Sequence, residues 1–246
     1  MGRPLVLCYH AVSESWPDEL AVHPTELARQ LRILLLRRFR PAPLADTIGG
    51  RARLLHVTFD DAYKSVARAI PILERHAVPA TIFVCTDYAR DGRPLAVPEL
   101  ASKAEAFPSE LETMTWDDVR AVAQRGIEIG SHTVTHPHLP QLSDAELVGE
   151  LRDSRREVED ELKRPCRHLA YPYGDTDERV REAARHAGYE AAFALSPRTP
   201  GRYAVPRVDL YRKDTLLRAM LKTSPVREGL HRLRSFGRHP QARSAG

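Results

Sequence analysis

Short apolar runs alternate with longer amphipathic stretches along most of the chain. The runs at 5–9, 54–59, 81–85, 127–130, 168–171, 191–195 and 205–210 have the length of strands rather than of helices. They are continuously apolar, as expected of parallel strands covered on both faces. Between them the spacing becomes helical. Residues 25–37 place Leu27, Leu31, Leu34 and Leu35 on one face. Residues 66–75 do the same with Val66, Ile70 and Leu73, and Pro71 predicts a kink there. Residues 115–124 open on Thr115 as N-cap and stop at Gly126. Residues 143–163 open on a Ser143-x-x-Glu146 capping box and continue with Leu147, Leu151, Val158 and Leu162. Residues 176–186 run up to Gly188. Strand–helix alternation of this kind predicts a single α/β domain on a parallel sheet, and the pattern leaves closed and open sheets both standing. The stretch 87–114, with Pro94, Pro98 and Pro108, is expected to be a long irregular loop rimming a substrate groove.

A chain of 246 residues, 42% of them hydrophobic, can fill a barrel-sized core. Cys8, Cys85 and Cys166 are odd in number and far apart, and two of them lie in strand runs, so a disulfide framework is not expected and a reducing compartment fits. No apolar run reaches the roughly twenty residues of a membrane span. The opening Met1-Gly-Arg-Pro-Leu-Val-Leu-Cys-Tyr-His10 is too short for a secretory leader, which makes a cytoplasmic location the expectation. The net charge of +4 gathers at the C-terminal end, where Lys213, Arg218, Lys222, Arg227, Arg232, Arg234, Arg238 and Arg243 face only Asp214 and Glu228. A solvated helix and tail would account for this, and the sharper expectation is peripheral contact with the inner membrane face. The division expected is a catalytic domain over 1–214 followed by a basic helix and tail over 215–246. No motif or aromatic platform supports a nucleic-acid partner.

Chemically capable residues recur where the predicted strands end. His10 follows the first, Asp60-Asp61 the second, His132 and His136 the fourth, and Tyr171-Pro-Tyr-Gly174 the fifth. In parallel α/β folds the C-terminal strand ends share one face, so these residues should converge. Singly, each has a plainer account. The Asp pair could cap a helix, the His pair could arise by chance among eleven histidines, the Tyr-Pro-Tyr-Gly run could be only a turn, and His10 could be structural. Together, one carboxylate and two imidazoles make the three-ligand set of a catalytic divalent-metal site with open positions. With Asp61, His132 and His136 holding the metal, Asp60 is the candidate base toward an activated water. Backbone N–H groups of the Pro172-Tyr173-Gly174 turn are candidates for binding an oxyanion, and His10 is the candidate acid.

These motifs resemble those of the polysaccharide deacetylases, the NodB-type domains of carbohydrate esterase family four. Thr58-Phe-Asp-Asp61 is similar to the first signature, Ser131-His-Thr-Val-Thr-His136 to the second and Tyr171-Pro-Tyr-Gly174 to the third, over a stretch from about Leu5 to about Asp214. The resemblance implies a distorted (β/α)7 barrel, Asp60 as base, Asp61, His132 and His136 as metal ligands, and the Tyr173 N–H in the oxyanion hole. It implies zinc, with cobalt or nickel accepted by related enzymes, and removal of an acetyl group from an N-acetylated amino sugar. An O-acetyl polysaccharide esterase and an inactive carbohydrate-binding homologue are the alternatives. Three positions depart from the pattern. Ala62 stands where glycine often follows the Asp pair, Ala170 stands where the third signature usually begins with arginine, and the usual C-terminal Leu-x-His is not recognisable. Arg207 is the candidate substitute for the arginine. Tyr9-His10 matches a branch that includes poly-N-acetylglucosamine deacetylases, in which an early strand supplies the acid histidine.

Overall fold

The first apolar run forms strand β1 (Leu5–Tyr9), buried at every residue, in a computed structural model that describes residues 2–224. There follow β2 (Ala11–Val12), β3 (Ala21–Val22), α1 (Pro24–Leu36), β4 (Arg40–Pro41), α2 (Leu44–Thr47) and β5 (Leu54–Phe59). A 3-10 segment (Lys64–Ala69) runs into α3 (Ile70–Arg75), then β6 (Ala80–Val84) and α4 (Thr86–Ala89). A 3-10 turn (Pro98–Leu100), α5 (Ala101–Ala106), α6 (Pro108–Leu111), α7 (Trp116–Gln124) and β7 (Glu128–Ser131) come next. The described chain closes with α8 (Asp144–Leu162), β8 (His168–Ala170), α9 (Glu178–His186), β9 (Ala191–Leu195), β10 (Val205–Asp209) and α10 (Leu216–Lys222).

Seven parallel strands close on themselves in the order β1-β5-β6-β7-β8-β9-β10, and β10 returns to β1. This is the closed form of the two sheets that the pattern left standing. The ring is uneven: β1 matches β5 from Leu5↔Leu55 to Tyr9↔Phe59 but meets β10 only at Leu7↔Val208 and Cys8↔Asp209. Outside the ring, β4 pairs with the first two residues of β5.

All seven predicted strands form within a residue or so of their expected limits. The break at Pro71 appears as the change from 3-10 to α-helix at Ile70. Both capping residues act as read: the Thr115 and Ser143 side chains accept from the N–H groups of Asp118 and Glu146. Helix α9 is capped by Asp177 rather than starting at Thr176. The expectation of irregular chain over 87–114 is corrected. That segment carries α5, α6 and the Pro98–Leu100 turn, and it folds back through the bridges Tyr63↔Thr113 and Pro94↔Glu112. Pro98 and Pro108 stand in the first turns of two of these elements, where a missing N–H is harmless, so they start helices instead of excluding them.

Side chains alternate across each strand. Leu55, Val57 and Phe59 of β5 join the core beneath the helices, while His56 and Thr58 face the barrel interior. That interior is layered. Its floor is a polar chain in which His56 Nε2 lies 2.9 Å from Thr81 Oγ1, Thr81 Oγ1 3.0 Å from Glu128 Oε2, and Glu128 Oε1 2.5 Å from His168 Nδ1. Above it Phe83, Phe193, Ala170 and Val205 form a small apolar cluster. Gly130 leaves room for Phe83, whose ring a Cβ there would meet at 2.5 Å. The site caps this cluster.

The three cysteines are free and buried. Among the described residues no helix is long and apolar enough to cross a membrane. Most of the basic C-terminal run lies outside the described residues. Within them, Lys213 pairs with Glu19 and Lys222 with Asp214, each at 2.6 Å.

Candidate active site

Asp60 and Asp61 leave the C-terminal end of β5. The Asp60 N–H continues the ladder by donating to the Tyr9 carbonyl at 2.9 Å. The backbone then turns through two left-handed residues, Asp61 (φ 68°) and Ala62 (φ 50°). This conformation explains why glycine suits the position of Ala62. The turn is tied down by the Met114 N–H, which donates to the Ala62 carbonyl at 2.8 Å.

His132 follows β7, its N–H donating to the Val84 carbonyl. Its Nδ1 is 2.8 Å from the Ala170 carbonyl oxygen. A carbonyl only accepts, so Nδ1 carries the hydrogen and Nε2 offers a lone pair to the site. Thr133 (φ 70°) and His136 (φ 63°) bend the next loop back toward the strand ends. Glu150 of α8 holds that loop, accepting from the Val134 and Thr135 N–H groups and the Thr135 hydroxyl at 2.8, 3.0 and 2.7 Å. Sequence reading missed Glu150, because a glutamate on an amphipathic helix looks like any solvated face.

The three elements bring Asp61, His132 and His136 together, all buried. Asp61 Oδ1 lies 3.5 Å from His132 Nε2 and 3.4 Å from His136 Nε2, and among the described residues it has no hydrogen-bond partner. A buried carboxylate oxygen aimed at two imidazole nitrogens, and otherwise unsatisfied, is the donor set of a divalent cation. Burial holds both imidazoles down to about 4, so they are neutral ligands at ordinary pH. Burial raises Asp61. The residues therefore fit the implied metal.

Asp60 faces a different partner. The Arg207 guanidinium from β10 grips it with both arms, Nη1 to Oδ1 at 2.6 Å and Nη2 to Oδ2 at 2.7 Å, while Nη1 also donates to Thr58 Oγ1 at 3.0 Å. Burial alone would raise the Asp60 carboxyl, but this guanidinium and His132 outweigh it and hold the group well below the usual carboxylate range. The guanidinium also stacks over the Phe83 ring at 5.5 Å. With Ala170 buried and lacking a side chain that can reach, β10 supplies the arginine instead. Cys8, also unforeseen, points its Sγ at Asp60 Oδ2 at 3.4 Å.

His10 stands at the end of β1, its ring stacked on Tyr211 at 6.1 Å. Its ligand atom lies within 4.8 Å of those of Cys8 and Asp60. Nδ1 is buried and has no hydrogen-bond partner among the described residues. Pro172 is buried and opens the 3-10 turn that carries Tyr173, which is left-handed at φ 59°. The Tyr173 ring meets His136 edge-on at 4.6 Å. Every candidate residue named from the sequence thus lies at one end of the barrel.

A parallel seven-stranded barrel with a buried His-His-Asp cluster at its C-terminal rim defines an α/β protein built around a candidate metal centre. Residues 48–192 match the sequence model of the polysaccharide deacetylase family. The chain belongs to that family. It is 28% identical over 160 residues to a chitooligosaccharide deacetylase of Bradyrhizobium sp. (strain ANU 289), covering 63% of each chain. It is 24% identical over 170 residues to a poly-β-1,6-N-acetyl-D-glucosamine N-deacetylase of Staphylococcus aureus (strain MSSA476), covering 63% of this chain and 54% of that one. The match thus spans between about half and two thirds of these relatives' own length. Among solved structures, the Streptococcus pyogenes deacetylase PplD in complex with acetate shares the fold, with a TM-score of 0.74 at 20% identity over 91% of this chain and 99% of that one. His10 and Arg207 lie outside the matched segment 48–192.

Proposed function

We propose that this chain is a metal-dependent hydrolase that removes the acetyl group from an N-acetylated amino sugar in an oligo- or polysaccharide. The observation that carries the reading is the buried Asp61–His132–His136 set with a second carboxylate, Asp60, held ionised beside it by Arg207. The names of the relatives supply the substrate class.

Asp61, His132 and His136 would hold the metal, with zinc the first expectation and cobalt or nickel next. A divalent ion there supplies Lewis acidity and lowers the pKa of a water toward about 7. Asp60 is the base: each of its oxygens keeps a lone pair beyond the bonds to Arg207, so it accepts the proton of the attacking water. Arg207 and Thr58 fix its plane, and Arg207 keeps it from being protonated beforehand. The Tyr173 N–H is the donor to the developing oxyanion. As a first-turn N–H of a 3-10 helix it has no acceptor within that helix. His10, at the end of β1 and backed by Tyr211, gives a proton to the departing amine. Proton acceptance and proton delivery thus fall to groups on different strands, β5 and β1.

The direct test is acetate release by the zinc-loaded protein from N-acetylglucosamine oligomers. Release should stop on chelation and return on adding about one equivalent of zinc. Release from O-acetylated xylan with none from the N-acetylated oligomers would contradict the reading and select the O-esterase alternative.

A further inference from the structure

The left-handed backbone of Tyr173 is unusual for a residue with a large side chain, and such a conformation persists only where the surroundings impose it. Its side chain is gripped at three points from two separate parts of the chain. His138, two residues beyond a metal-ligand candidate, stacks on it face to face at 3.8 Å and 9°. His136 abuts its edge at 4.6 Å. Its hydroxyl donates to Glu99 Oε2 at 2.8 Å. The other oxygen of Glu99 lies 3.3 Å from His138 Nε2, and His138 Nδ1 is 3.0 Å from Asp175 Oδ2. One carboxylate therefore clips both members of the stack.

Glu99 is well placed to act as a fixed point. Its neighbours Val97 and Leu100 are buried in the core, and Lys103, one turn on, pairs with Asp18 at 2.8 Å. The segment ahead of α7 is thus a strap laid across the barrel mouth and anchored on both sides. Glu99 is its one carboxylate within hydrogen-bond distance of Tyr173 among the described residues.

We propose that Glu99 is a positioning residue: through the Tyr173 hydroxyl and His138 it holds the Tyr173 ring, and with it the strained turn whose N–H faces the reacting carbonyl. This rests on the function proposed above. A backbone donor serves an oxyanion only if it is aimed beforehand. The Gly174 and Asp175 N–H groups close the turn on the Tyr171 and Pro172 carbonyls at 2.9 and 3.1 Å, and the side-chain contacts hold the left-handed residue within it. The strap would then couple its own seating to the rate of the chemical step.

Two readouts test this on zinc-loaded full-length protein. Glu99→Ala should lower kcat for acetate release about tenfold, with KM changed less than about twofold and bound zinc unaltered. Glu99→Gln keeps an acceptor for the Tyr173 hydroxyl and should recover most of the rate. Tyr173→Phe should fall as far as Glu99→Ala, and the double variant no further. Independently of turnover, exchange of the Gly174 amide hydrogen, which closes the turn on the Tyr171 carbonyl at 2.9 Å, read by NMR in glycine-labelled protein, should accelerate about tenfold or more in Glu99→Ala. A wild-type protein that releases no acetate would sink the proposed function and leave the exchange measurement to decide the clamp. Unchanged Gly174 exchange, or a rise in KM with kcat intact as for a simple substrate contact, would overturn the clamp.

Discussion

Arg207 is the residue on which the candidate site turns most sharply. It sits wholly inside the barrel with its charge matched by Asp60, and a buried ion pair of this geometry is costly to break from one side. Removing the guanidinium leaves a buried carboxylate that burial drives upward, so Asp60 would take up a proton at higher pH. Arg207→Met should therefore shift the acid limb of kcat/KM to higher pH, with activity at pH 6 falling by at least about 100-fold and recovering in part by pH 8. A pH–rate profile checks this, and an unshifted acid limb would separate Arg207 from Asp60. Unfolding in urea should show a loss of about 3 to 5 kcal/mol for the same variant. Arg207→Lys restores the charge but not the two-armed grip, and should recover only part of the rate. The pair was only partly legible beforehand. Asp60 announces itself by adjacency to Asp61, but Arg207 was visible only as a candidate to fill the gap at Ala170, because 147 positions separate it from its partner.

At the scale of elements, the metal-ligand candidates are only as well placed as the loops that carry them. The loop from His132 to His136 contains two left-handed non-glycine residues and is held by one side chain from α8. Glu150 satisfies two backbone N–H groups and a hydroxyl there, so removing it frees three donors at once and lets the loop relax. Glu150→Ala should weaken zinc binding about 10- to 100-fold while leaving the far-UV circular dichroism of the barrel unchanged. Competition against a chromophoric chelator measures this, and wild-type affinity in the variant would show that the loop holds itself. The N-cap of α7 and the capping box of α8 were legible because each is a local signal, the box being written in four consecutive residues, while the Asp118 half of the α7 box was not read. The short helices of the strap were not: four- and six-residue elements have too few apolar positions to establish a period, and their prolines read as breakers.

Across the whole molecule, the alternation of side chains along seven strands separates two tasks. Outward positions form one continuous core under the helices, and inward positions stack a polar floor, an aromatic middle layer and the site. The apolar runs disclosed the number and order of the strands and hence the class of fold. They hid this layering, because the runs were read as continuously apolar, which passes over His56, Thr58 and His168 as an inner polar face. Closure of the ring was hidden too, since it depends on β10 reaching β1, a pairing of only two residues between the ends of the barrel. Convergence of the site was legible for a general reason: parallel strands all end on one face, so chemistry at strand ends must meet. The same topology brings His10 from the first strand and Arg207 from the last to Asp60, though both lie outside the segment that matches the family. The central claim, that Asp61, His132 and His136 hold a metal while Asp60 does chemistry without holding it, comes down to one comparison. Zinc content and acetate release should be measured together in wild type and in Asp60→Asn. The variant should retain about one zinc per chain and lose turnover by about 1000-fold or more. Loss of the zinc, or turnover near that of wild type, would contradict the claim.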